Sequence, residues 1–106
     1  MVASNFAFKS SNSIKGVILL ASYSVKKLDA SLDVLTIYGS EDGVLNFEKY
    51  EGVKDNLPED FQEVVIDGGN HAGFGYYGEQ KKDKKAKMSK EEQQLQTVQF
   101  IRSFIE

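Results

Sequence analysis

Two short apolar runs, Val17-Ile18-Leu19-Leu20-Ala21 and Val34-Leu35-Thr36-Ile37-Tyr38, limit what this chain can fold into more than any other feature. Neither run alternates apolar with polar residues, so a strand built from either has both faces covered. That pattern belongs to a parallel sheet sandwiched between helices. A third strand is expected over residues 61–66, where Asp67-Gly68-Gly69-Asn70 supplies the stop. Between the second and third runs a helix is predicted over 46–57. Asn46 is a competent N-cap, Phe47, Tyr50, Val53 and Leu57 form an apolar face, and Pro58 ends it. A last helix is predicted over 89–105, opened by a Ser89/Glu92 capping box and carrying Leu95, Val98, Ile101 and Ile105 on one side with Phe104 beside them. Residues 2–9 suit a short helix, because Ala3, Phe6 and Ala7 share one face. Ser10 to Ser13 and residues 72–88 read as loops. The resulting fold class is α/β, with about three parallel strands (17–21, 34–38, 61–66) and flanking helices (2–9, 46–57, 89–105).

At 106 residues the chain fits one domain, 1–106. A net charge of −3 gives no electrostatic case for a nucleic acid or an anionic membrane as partner. The longest apolar run is far too short to cross a bilayer. With no Cys, thiol nucleophiles, disulfides and Cys-based zinc sites are excluded, whatever the redox compartment. No cofactor and no metal is expected.

Chemistry concentrates in two places. Tyr38-Gly39-Ser40-Glu41-Asp42-Gly43 follows the second strand, and Gly68-Gly69-Asn70-His71-Ala72-Gly73-Phe74-Gly75 follows the third. In open α/β sheets ligands and reactive groups gather beyond the carboxyl ends of strands. Asp42-Gly43 also suits an ordinary turn. His71, the only His in the chain, also suits a surface loop with no role. Each alternative stands when its cluster is taken alone. Together the clusters say more, since neighbouring parallel strands bring their following loops side by side. The spacing of 29 positions from Asp42 to His71 leaves room for a helix and a strand. An acid beside an imidazole orients the ring and stabilises its charged form, as general-base chemistry requires.

Ile37-Tyr38-Gly39-Ser40-Glu41-Asp42-Gly43 and Gly69-Asn70-His71-Ala72-Gly73-Phe74-Gly75 resemble the acid and histidine segments of α/β-hydrolases, nearest to the dienelactone-hydrolase-like branch of small esterases. The likeness takes in Gly16 to Ser24 (similar to that branch's sixth strand), Tyr77-Gly78 and Glu91-Glu92-Gln93, so it covers nearly the whole chain. It implies a partial α/β-hydrolase fold acting on a small ester-type substrate, with Asp42 as the triad acid, His71 as its base and Glu41 as a bystander. The family's nucleophile stands in a Gly-x-Ser-x-Gly turn between a strand and a helix, and the chain contains no such pattern. By the resemblance, residues 2–9 are the helix after that turn. The missing Ser then lies just upstream of Met1, together with five strands and both oxyanion donors.

The same resemblance leaves the 17–21 strand without its usual neighbour. An open apolar edge is a template for pairing, so a homodimer or higher oligomer through that edge is expected. The run Lys81-Lys82-Asp83-Lys84-Lys85-Ala86-Lys87 carries a net +4 but no interleaved aromatic residues, which favours a solvated loop over a nucleic-acid or membrane site. Tyr76 and Tyr77 suit equally the lining of a substrate cleft or packing of the loop on the core.

Overall fold

The two apolar runs and the expected third strand form the parallel part of one sheet. The computed structural model describes residues 4–10, 13–74 and 83–105. Its strands are β1 (Ser4–Ser10), β2 (Ser13–Leu20), β3 (Asp33–Gly39) and β4 (Gln62–Ile66), and its helices are α1 (Phe47–Gly52) and α2 (Lys90–Ile105). Single 3₁₀ turns cover Lys54–Asn56 and Ala72–Phe74. Strand order is β1-β2-β3-β4. The β2/β3 pair is parallel, running from Gly16↔Asp33 to Leu20↔Ile37, and so is β3/β4, from Leu35↔Gln62 to Gly39↔Ile66. Both faces of β2 and β3 are covered, as their unbroken apolar runs require, whereas β4 leaves Val65 exposed. Ile18, Leu20, Leu35, Ile37 and Ile66 meet Ile101 and Phe104 of α2 on one face. On the other, Tyr38 packs edge-on against Phe47 and Tyr50 of α1 at 5.2 and 5.4 Å. Both predicted caps are in place. Asn46 accepts from the Lys49 N–H at 3.1 Å, and Ser89 Oγ from the Glu92 N–H at 3.1 Å.

One predicted element is corrected. The segment expected as a helix over 2–9 is a strand in its described part. Residues 2 and 3, like Tyr76, Tyr77, Gly78, Lys81 and Lys82, lie outside the described residues. β1 pairs antiparallel with β2 from Ser4↔Leu20 to Ser10↔Ser13, with a bulge between Phe8 and Lys9. The physical reason is twofold. An isolated eight-residue helix without a cap is marginal, whereas Phe6 and Phe8 stand two apart, the strand period, and aromatic residues favour strands. The free N–H and C=O groups along β2 supply the partner that decides the contest. The 17–21 edge expected to be open is therefore occupied by β1, and the sheet's outer edges belong to β1 and β4.

The burial of α2 also departs from expectation. Gln93 and Thr97 are buried and Ile101 and Phe104 pack on the core, while Leu95, Val98 and Ile105 are 53%, 50% and 51% exposed. The helix is rotated so that the polar pair at its start points inward, where Gln93 meets the loop after β4.

Candidate active site

β3 and β4 are adjacent and parallel, so the segments leaving Gly39 and Ile66 emerge side by side. The backbones then touch. Ser40 N–H donates to Ile66 O at 3.0 Å, Glu41 N–H to Gly69 O at 2.8 Å, and Gly68 N–H to Ser40 Oγ at 2.8 Å. Gly39 permits this approach, since a Cβ there would stand 2.2 Å from Gly69 O. Gly68 turns the chain out of β4 at φ +89°, a conformation that favours glycine.

The stitched loops bring together the two residues singled out from sequence. His71 Nδ1 lies 2.9 Å from Asp42 Oδ2, with the side chains 2% and 0% exposed. The other Asp42 oxygen accepts the N–H groups of Val44 and Leu45 at 2.8 and 2.7 Å, which fixes the carboxylate in its own turn. An ionised carboxylate oxygen only accepts, so the contact calls for a proton on Nδ1, and in a neutral imidazole the lone pair then falls on Nε2. Glu41 does not reach the imidazole; its carboxylate pairs with Lys87 Nζ at 3.5 Å.

Three residues that sequence reasoning did not single out hold this arrangement. Asn70 caps its own loop by accepting the Gly73 N–H at 2.9 Å on Oδ1, and its Nδ2 donates to Lys84 O at 2.8 Å. Gln93, fully buried, accepts the Asn70 N–H at 3.1 Å and donates from Nε2 to Asn70 O at 2.8 Å. Asp83 accepts backbone N–H groups from both loops: Gly43, His71 and Ala72 at 3.0, 3.1 and 2.9 Å. Asp83 sits inside a lysine run and Gln93 beside a second glutamine, and neither context signals a long-range role. A cleft of about 790 Å³ opens beside the His71 loop, lined in part by Ala72, Gly73, Lys84, Met88 and Lys90.

A mostly parallel α/β sheet with a buried acid–imidazole pair just beyond the carboxyl ends of two adjacent parallel strands defines the class. The chain belongs to the alpha/beta hydrolase family, whose family model matches residues 1–95. No curated protein and no solved structure gives a significant match.

Proposed function

We propose that Asp42 and His71 are the acid and base of a Ser-Asp-His hydrolytic triad of the small-esterase, dienelactone-hydrolase-like type, and that this chain supplies those two members only. The observation that carries the reading is the fully buried 2.9 Å contact between His71 Nδ1 and Asp42 Oδ2. In such a triad the free Nε2 takes the proton of an attacking serine hydroxyl and returns it to the leaving group, while the carboxylate stabilises the imidazolium formed in between. The substrate class is a small ester or other activated acyl compound.

The 106 residues contain no Gly-x-Ser-x-Gly turn to present that serine. Removing the triad serine costs about 10⁶ in turnover in a well-studied protease. An imidazole only 2% exposed is also a poor base toward reagents in bulk water. The chain alone is therefore inactive or very weak. The test is p-nitrophenyl acetate hydrolysis by the chain and by His71→Ala. At most a slow, unsaturating rate is expected. Turnover in the ordinary enzyme range that vanishes in His71→Ala contradicts the inactivity.

A second reading, a non-catalytic module that self-associates as a homodimer, draws on the exposed apolar row Leu95, Val98 and Ile105 along α2. Since β1 covers the 17–21 strand, association would use this row or the outer edges of β1 and β4. Light scattering at micromolar concentration decides: a dimer mass supports it and a stable monomer removes it.

A further inference from the structure

We propose that Asp83 is a positioning residue that holds the acid and base of the proposed triad in register; this rests on the reading of Asp42 and His71 as that pair. Its carboxylate lies between the two loops. Oδ1 accepts the N–H groups of Gly43 at 3.0 Å, His71 at 3.1 Å and its own neighbour Lys84 at 3.1 Å, and Oδ2 accepts the Ala72 N–H at 2.9 Å. The donors are not scattered. Gly43 is the residue after the acid, and His71 and Ala72 are the base and the residue after it. One side chain thus fixes the peptide units next to both members of the pair, from a segment 40 residues beyond the first loop and 12 beyond the second.

The other ties between the loops lie closer to the sheet, where Glu41 N–H meets Gly69 O. They fix the spacing at the strand ends; at the tips, among the described residues, the Asp83 carboxylate joins the Asp42–His71 bond in linking the two loops. The Asp42–His71 contact spans a single hydrogen bond, and displacements of about 1 Å in such constellations cost on the order of 10² in rate. A carboxylate suits the task because peptide N–H groups only donate and an ionised carboxylate only accepts, with lone pairs enough for four donors. An asparagine could satisfy the three donors at Oδ1 but would set an NH₂ against the Ala72 N–H.

The test reads His71 directly and needs no turnover. Ring ¹⁵N shifts of the uniformly labelled chain report the imidazole tautomer. The wild-type chain is expected to show the Nδ1–H form fixed by Asp42. Asp83→Ala is expected to fall to the mixture typical of free histidine, while Asp83→Asn, which keeps the Oδ1 bonds, largely retains the Nδ1–H form. Thr36→Val, which removes a buried hydrogen bond to Tyr50 on the other face of the sheet, serves as a destabilised control and is expected to leave the tautomer unchanged. If Asp83→Ala fails to fold, amide exchange in Asp83→Asn carries the test: the Ala72 N–H should exchange faster, with Gly43 and His71 little affected. An Nδ1–H tautomer that persists in a folded Asp83→Ala, or an Ala72 exchange rate unmoved in Asp83→Asn, overturns the positioning role alone. A free-histidine mixture already present in the wild-type chain overturns both this role and the acid–base pair.

Discussion

Replacing Gln93 by Leu tests how the His71 loop is held. The side chain is 0% exposed and forms a two-point bond with the Asn70 peptide, accepting its N–H at 3.1 Å and donating to its C=O at 2.8 Å. Leucine is close in volume, so the change is chiefly polar. It strips the partners from two inward-facing backbone groups, each costing roughly 1–3 kcal/mol when left unsatisfied. The extra apolar burial returns about 1 kcal/mol. The net loss is about 1–5 kcal/mol, a large part of the roughly 5–15 kcal/mol of a typical domain. Urea unfolding followed by far-UV circular dichroism should show a lower midpoint at an unchanged slope, because the exposed area on unfolding is the same. Gln93→Glu sharpens the case. It keeps one acceptor but sets an oxygen against Asn70 O, and its burial raises the folded-state pKa above the ordinary glutamate value. The folded form then binds the extra proton more tightly, so the Glu variant should recover stability relative to wild type as pH falls. A Leu variant within about 0.5 kcal/mol of wild type, or a Glu variant whose deficit ignores pH, refutes the two-point grip as what holds the His71 loop.

Gly39→Ala places a Cβ 2.2 Å from Gly69 O, with backbone on both sides, and should cost at least about 1–3 kcal/mol by thermal melting; an unchanged melting temperature removes the close approach of the loops. Asn46→Ala loses the cap bond to Lys49 N–H and should cost about 1 kcal/mol in the same assay. Burial by itself would raise the Glu63 carboxyl, but hydrogen bonds from the Tyr50 hydroxyl and from Lys54 Nζ (3.0 Å) outweigh it and hold the group below its ordinary 4.5. The unfolded chain therefore binds this proton more readily, and the contribution is present above about pH 4.5 and lost as pH falls through the folded value. Glu63→Gln should flatten that acid limb in melting curves taken across pH, and an unaltered slope contradicts the network.

The first two parallel strands were legible because unbroken apolar runs mean two covered faces, the third because turn residues stop it, and both helix caps because their chemistry is local. Asp42 and His71 could be placed near each other because each follows a strand and the strands are neighbours. What failed depended on partners outside the segment being read. Ala3, Phe6 and Ala7 fit a helical face while Phe6 and Phe8 fit the strand period, and only the hydrogen-bonding edge of β2 decides between them. Leu95 and Val98 looked like the inner face of α2, yet the Asn70 peptide draws Gln93 inward and turns them to solvent. Asp83 looked like one acid diluting a lysine run, since nothing near it in sequence hints at three amides waiting on two other loops.

The central claim is that Asp42 fixes His71 with its proton on Nδ1 and its lone pair on Nε2. Asp42→Asn tests it most directly, because Oδ1 can keep the bonds from Val44 and Leu45 while an NH₂ replaces the acceptor that faces the ring. Ring ¹⁵N spectra should show the Nδ1–H form in the wild-type chain and the Nε2–H form in the variant, whose amide donates to a bare Nδ1. The same tautomer in both proteins would contradict the account.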